Sequence, residues 1–395
     1  MERVQFQQEQ MLDELKDLVD KGIFTKAETR QILKKRTQFE TALVRRVAKK
    51  SDFLRYAAYE MSLEQLRRKR IERLKIVSTH ASISDYALVR RQFHIFERAL
   101  KKFKADVGMW IEYLNTAKRE GANTLIGRVV ARAIQLHPDT PALYILAAAH
   151  ELEHGSPSAA RTLLQRGIRI NSESVEMWRE YVRMELTFME SLRRRWGVLG
   201  LDEKGKDKPS PEVAASTEDG GGAEARAALM GGAIVKSVIS SAAKAVDTPE
   251  LFAALIAVIH EFPLADAVAS ELLDQVYELL RRARPRDPRA VRLLAERFLD
   301  GLEGEALVDG VQRANEEMLA ACEAGSEDMF EVYVVFAAGL CDKLMDDSLK
   351  LYLLSSVQGL MALNTGSAAL VGGVARLRET VGAGMEEGGA RWGGR

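Results

Sequence analysis

Apolar side chains recur along this chain every three or four positions, the spacing that lines one face of an α-helix. Met11, Leu15 and Leu18 form the stripe of a first helix predicted from about Val4 to Asp20 and closed by Gly22. Thr25 and Glu28 have the spacing of a capping box, in which side chains satisfy backbone amides that a helix start leaves open. They predict a second helix carrying Ile32, Leu33, Phe39 and Leu43.

A longer period overlies the helical one. Trp110, Tyr144 and Trp178 stand 34 residues apart, as do Arg98, Arg132 and Arg166, and Leu100, Ile134 and Ile168 keep the same interval. Three positions after each aromatic leader come Tyr113, Ala147 and Tyr181; four further on come Ala117, Glu151 and Glu185. Phe53, Tyr56 and Glu60 repeat this pattern earlier, offset by one period and an insertion. Phe252 with Leu255, and Phe330 with Tyr333 and Ala337, are degenerate copies. A period near 34 with helical spacing inside each unit predicts an all-α superhelical solenoid of paired antiparallel helices. Neither helix of a pair buries its stripe alone, so neighbours stack into one core. The leaders are predicted to pack between the helices of each repeat, and Glu60, Glu151 and Glu185 to hold their register.

Proline at the first helical turn marks boundaries at Thr140-Pro141, Ser156-Pro157, Thr248-Pro249 and Asp287-Pro288, where its missing amide hydrogen costs nothing. The predicted organisation is an N-terminal helical region (1–80), regular repeats (84–196), a polar, disordered insertion (197–222), degenerate repeats (223–381) and a Gly-rich flexible tail (382–395).

Composition changes this picture little: 47% of residues are apolar and 29% charged, an ordinary globular balance. The formal net charge of zero conceals an asymmetry. Residues 1–200 carry 37 Lys and Arg against 25 Asp and Glu, or +12, and residues 201–395 carry 20 against 32, or −12. Such a dipole suits docking in a charged assembly. Two cysteines, Cys322 and Cys341, make no disulfide framework and fit a reducing compartment. The N-terminus has no apolar signal core, and no run of about 18 apolar residues predicts a membrane span.

The leader Trp/Phe-x-x-Tyr-x-x-x-Glu, followed by a helix such as Phe96-Glu-Arg-Ala-Leu100, resembles the half-a-TPR, or HAT, repeat of RNA-processing assemblies. The segments Lys21–Arg46 (KGIFTKAETRQILKKRTQFETALVRR) and Lys49–Arg70 (KKSDFLRYAAYEMSLEQLRRKR) resemble the start of the U-three small nucleolar RNA-associated protein 6 family. The resemblance is close over about residues 1–200. It implies a non-catalytic scaffold of the nucleus and nucleolus, in the UTP-B subcomplex of the small-subunit processome. The implied partners are WD-repeat β-propeller subunits, with small nucleolar RNA and precursor ribosomal RNA in the same particle. Ala117, Tyr144 and Ala147 depart from the repeat's consensus. Rival readings are a HAT scaffold of splicing or messenger-RNA 3′-end processing and, more remotely, a zinc peptidase.

The peptidase reading rests on His150-Glu151-Leu152-Glu153-His154, a literal H-E-x-x-H. Yet Glu151 already fills the repeat's Glu position, Gly155-Ser156-Pro157 ends the helix at once, and Ala160 stands where an extended motif would place a third His. Gly200 to Lys206 imitates a P-loop, but Asp207 follows instead of Ser or Thr. No cofactor or catalytic residue is assigned. Two basic clusters, Arg67-Arg68-Lys69-Arg70 and Arg193-Arg194-Arg195, are candidates for contact with RNA or an acidic partner, or for nuclear import. Arg98, Arg132 and Arg166 are candidate partner contacts on the concave side of residues 84–195.

Overall fold

The computed structural model describes residues 2–47, 49–75, 82–198, 228–302, 304–323, 326–344, 346–364 and 367–378. Among them the chain is all-α, with no strand. It forms two compact units, Met1–His150 and Glu151–Arg395, each a stack of antiparallel helices.

Unit one opens with α1 (Glu2–Asp20), α2 (Lys26–Val44), α3 (Lys50–Leu74) and α4 (Ile83–Lys102). Consecutive helices pack on one another and α4 returns to touch α1, so the four close into a bundle. The pair α5 (Val107–Arg119) and α6 (Asn123–Leu136) continues from α4, and the division between units falls inside α7 (Pro141–Glu153).

Unit two contains α8 (Pro157–Ile170), α9 (Val175–Val198), α10 (Ala233–Ala245), α11 (Pro249–Glu261), α12 (Asp266–Ala283) and α13 (Pro288–Glu296). A 3₁₀ turn (Arg297–Leu299) precedes α14 (Glu305–Cys322), α15 (Glu327–Lys343) and α16 (Asp347–Leu363), and residues 368–378 are also helical. Helices here touch the next and the next but one: α9 meets α10 and α11, α10 meets α12, α11 meets α13, and α14 meets α16. Contacts confined to near neighbours are the mark of a one-dimensional stack. Residues 199–227, which hold most of the predicted insertion and the P-loop imitation, and the tail beyond 378 lie outside the described residues. Gly197 and Val198 still belong to α9.

Local chemistry sets the boundaries. Thr25 accepts from the Glu28 amide while Glu28 accepts from the Thr25 amide, the reciprocal box that starts α2. Pro occupies the first turn of α8, α11 and α13. Gly121 and Gly155, again 34 apart, end α5 and α7 with φ of +68° and +72°. At each, the glycine amide and the next one bond back to carbonyls of the last turn: Ala122 to Ala117, and Ser156 to Glu151. This left-handed cap favours a residue without Cβ. Among the described residues no helix is long and apolar enough to cross a membrane. Cys322 and Cys341 are free thiols inside unit two, and burial pushes the Cys322 thiol up to about 12.

Candidate interaction surfaces

The leader aromatics Phe53, Trp110, Tyr144 and Trp178 are all buried, as are Phe252 and Phe330. Around them recurs a set of contacts fixed in sequence distance. The indole nitrogen of Trp110 donates to the carbonyl of Lys104, six residues back, at 3.0 Å; that of Trp178 donates to Ser172, also six back, at 2.8 Å. The Tyr113 hydroxyl bonds Glu97, and the Tyr181 hydroxyl accepts from Gln165, each partner 16 residues earlier. The repeat glutamate then takes an arginine 24 residues earlier. Arg36 donates through Nε and Nη2 to both Glu60 oxygens at 2.7 Å, and Arg161 does the same to Glu185. Where the glutamate is replaced by Ala117, the position 24 earlier is Phe93, with its ring 6.1 Å from that of Tyr113. At Glu151 the position 24 earlier is Gly127, so the arginine–glutamate pair is made at two of the four copies. Glu151 is half-buried on α7.

Charged side chains tie the α1–α4 bundle together. Arg36 and Glu60 are both fully buried, and Arg36 Nη1 lies 3.8 Å from Glu14, which in turn receives Arg91 at 2.6 Å. Glu40 is held at both oxygens by Arg98 at 2.9 Å. At the other end of the bundle, Asp17 accepts from the Ser82 hydroxyl and the Ser84 amide, and Lys21 reaches Asp85 at 2.9 Å. The Ser82 and Ser84 side-chain bonds hold the Asp17 carboxyl below the usual carboxylate range; the Ser82 amide and then Lys21 do so for Asp85. The Arg70 guanidinium, with the Thr25 amide, brings Glu28 down to about 2.

These pairs answer where the candidate contact residues lie. Arg67 is buried and bidentate to Glu64, Arg68 bridges Glu64 and Glu120, and Arg70 joins Glu28 and the Ile23 carbonyl. The run Arg67–Arg70 is thus not an open cationic patch, because three of its four charges are spent on carboxylates of α2 and α3 and on Glu120 just past α5; Lys69 alone is exposed without an ion pair among the described residues. Arg98 is half-buried against Glu40, and Arg132 pairs with Glu97 while lying 5.5 Å over the Trp110 ring. Those two are likewise not free contacts. Arg166 is exposed. Arg193 and Arg194 share Glu190, leaving Arg195 exposed. His150, on α7, is buried, and His154, just past its end, is exposed. Among the described residues no group of three His, Cys, Asp or Glu side chains is placed to hold a metal ion.

Unit two carries a cleft along α11, α13 and α15. One cavity of about 430 Å³ is lined by Pro249, Ala253, Leu293, Val332 and the half-exposed Val335, with Arg289 on its rim. A second, of about 350 Å³, adjoins it at Arg292 and Glu296. An apolar floor with a rim of paired charges can hold an extended peptide.

Residues 8–91 match the model of the family "U3 small nucleolar RNA-associated protein 6". That span runs from α1 into α4 and contains almost the whole ionic framework of the bundle. The chain is 41% identical over 199 residues to U3 small nucleolar RNA-associated protein 6 of Schizosaccharomyces pombe, covering 50% of this chain and 41% of that protein. It is 30% identical over 300 residues to the Mus musculus homolog, covering 76% of this chain and 47% of that one. The resemblance read from Lys21–Arg46 and Lys49–Arg70 is thereby borne out, and the chain spans less than half the length of these relatives. Among solved structures, the TPR protein YrrB overlaps 65% of this chain and 97% of its own, at 11% identity and a TM-score of 0.28.

Proposed function

We propose that the chain is a non-catalytic helical-repeat scaffold working in the nucleolus on precursor small-subunit ribosomal RNA, within an assembly that contains U3 small nucleolar RNA. The observation that carries this reading is the match over residues 8–91, the segment in which buried ion pairs fix the α1–α4 bundle. Residues that specify a bundle through ion pairs such as Arg36–Glu60 and Arg91–Glu14, 24 and 77 positions apart, are costly to imitate by chance, because loss of one partner of the buried pair leaves a buried charge. Repeat stacks of this kind present long surfaces to other macromolecules. The partners are WD-repeat β-propeller subunits of UTP-B, and the cleft along α11, α13 and α15 takes an extended segment from one of them.

The test is affinity purification of the tagged chain from its own cells at moderate salt, followed by identification of protein and RNA. Recovery of WD-repeat proteins with U3 small nucleolar RNA supports the reading. Recovery of splicing or 3′-end cleavage factors overturns the address while keeping the scaffold. Val335→Glu places a charge in the cleft at a half-exposed position; it should release the protein that occupies the cleft and leave the melting temperature unchanged. Full retention of every partner would remove the cleft from the proposal.

A further inference from the structure

The cationic surface of unit one lies on a helix that charge density alone does not single out. Helix α2 buries Thr29, Ile32, Arg36, Glu40 and Leu43 on one side. Its exposed positions include Lys26, Arg30, Lys34 and Lys35, the last with its Nζ 5.4 Å over the Tyr59 ring of α3, and, just past its end, Arg45 and Arg46. Among the described residues none of these six forms an ion pair. The two carboxylates of the helix are withdrawn from these positions, Glu28 by Arg70 and Glu40 by Arg98. Exposed arginines elsewhere are commonly neutralised: Arg281 by Glu317, Arg284 by Asp247, Arg289 by Glu250 and Arg292 by Glu296.

We propose that the exposed face of α2 binds the phosphate backbone of RNA. Lys26, Arg30 and Lys34 follow at i, i+4 and i+8, one charge every ~6 Å along the axis. With Arg45 the stripe reaches about 28 Å, enough to neutralise several consecutive phosphates. Between the charges stand Gln31 and Gln38, whose side-chain amides are of the kind that donates hydrogen bonds to phosphate and sugar oxygens. From Lys26 to Thr41 no exposed side chain is apolar beyond Ala27, and the exposed valines, Val44 and Val47, come only at the end of the stripe beside Arg45 and Arg46. A protein-binding face is instead rich in aromatic residues and poor in lysine, so the chemistry favours a polyanion over a protein. The contact reads backbone and not sequence, since no aromatic platform for stacked bases accompanies it. Taking RNA, in preference to DNA, as the polyanion rests on the proposed function; the charge geometry does not.

The test uses the purified full chain and a fluorescein-labelled single-stranded RNA of mixed sequence, with anisotropy read across a salt series. Lys26→Gln/Arg30→Gln/Lys34→Gln/Arg45→Gln should bind at least tenfold more weakly. It should also flatten the slope of log affinity against log salt by about 3, at roughly 0.7 for each phosphate left without its cation. Its melting temperature should not change, because all four side chains are exposed. A control neutralising Arg281, Arg282, Arg289 and Arg292 should bind as the parent does. The inference falls if the α2 variant keeps the parental affinity and slope, if the control loses as much, or if the parent shows no salt-dependent binding. It also falls if polyglutamate displaces the RNA at equal charge concentration, which would make the face a site for an acidic protein. None of these outcomes bears on which partners co-purify, so the two readings fail separately.

Discussion

Removing the Glu60 carboxylate tests the account of the α1–α4 bundle at its most buried point. Arg36 and Glu60 are both inaccessible to solvent and joined by two bonds of 2.7 Å. Glu60→Ala leaves the Arg36 guanidinium in the core with only Glu14 nearby, at 3.8 Å, and Glu14 is already committed to Arg91. Breaking one half of a buried pair costs about 3–5 kcal/mol, mostly as the uncompensated desolvation of the remaining charge. Replacing both halves by apolar groups is often neutral or better, and this chain already does so one repeat on, with Phe93 and Ala117. Arg36→Met/Glu60→Ala should therefore recover most of the stability that Glu60→Ala removes.

Stacked helices open locally, and a global melting curve does not say which segment a substitution has weakened. Amide hydrogen exchange in α2 and α3 reports the affected segment. A loss of about 3–5 kcal/mol speeds exchange there by roughly a hundredfold to a few thousandfold. The double variant should lie within about tenfold of the parent, and the amides of α14–α16 should not respond to either. The reasoning is refuted if Glu60→Ala exchanges like the parent. It is equally refuted if the double variant is no slower than the single.

Three further outcomes follow from particular contacts. Gly310→Ala should destabilise by about 1–3 kcal/mol, since a Cβ there would stand 2.4 Å from the Phe298 carbonyl oxygen, whereas Gly339→Ala, with nothing within 4 Å, should be neutral or mildly stabilising; equal melting shifts would contradict the packing of α14. Trp178→Ala should cost about 3–5 kcal/mol, read as a lower melting temperature, because the ring is buried and its nitrogen is satisfied; an unchanged melt would contradict that. Glu28, Asp17 and Asp85 all have carboxyls held below their ordinary values, so their stabilisation is complete above about pH 4.5 and fades as pH falls, for Glu28 through about 2. Arg70→Gln, which removes the largest cause of the Glu28 shift, should lessen the loss of α2 protection between pH 4.5 and 2, and an unaltered acid profile would refute that assignment.

The helical class and its period were legible because they rest on local spacing. The leaders, the Thr25–Glu28 box and the four Ser/Thr/Asp-Pro boundaries each depend on residues within a few positions of one another. Organisation at longer range was partly visible: the 34-residue beat was read, but the steps of 6 and 16 at the Trp110 and Trp178 motifs, and of 24 at Glu60 and Glu185, were not. Once Arg36–Glu60 and Arg161–Glu185 are seen, the 24-residue step can be followed in the sequence, and two copies depart from it, Phe93 with Ala117 and Gly127 with Glu151. What could not be read was the fate of the basic clusters. Arg67, Arg68 and Arg70 form the densest run of charge in the N-terminal half, and density made them candidates. Glu64 stands three and four residues before Arg67 and Arg68 on their own helix, a pairing that helical spacing allows; Glu120 and Glu28 come from elements that no spacing rule brings beside Arg68 and Arg70.

Charge therefore has two different uses in the first unit, and pairing separates them. A cation that finds a carboxylate inside the bundle fixes geometry, and a cation that finds none keeps its field for a ligand. On α2 the two uses occupy opposite sides of one helix. Arg36 turns inward to Glu60, while Arg30 and Lys34, six and two residues away, face solvent unopposed. Withdrawing Glu28 and Glu40 to Arg70 and Arg98 does both jobs at once: it locks α2 to α3 and α4, and it clears the outer face of negative charge. A variant that frees Glu28 by removing Arg70 should accordingly weaken RNA binding as well as acid stability, although Arg70 itself is half-buried and turned toward Glu28 and the Ile23 carbonyl. An Arg70→Gln protein that binds labelled RNA with the parental salt slope, while showing the altered acid profile, would uncouple the two and limit Glu28 to a structural part.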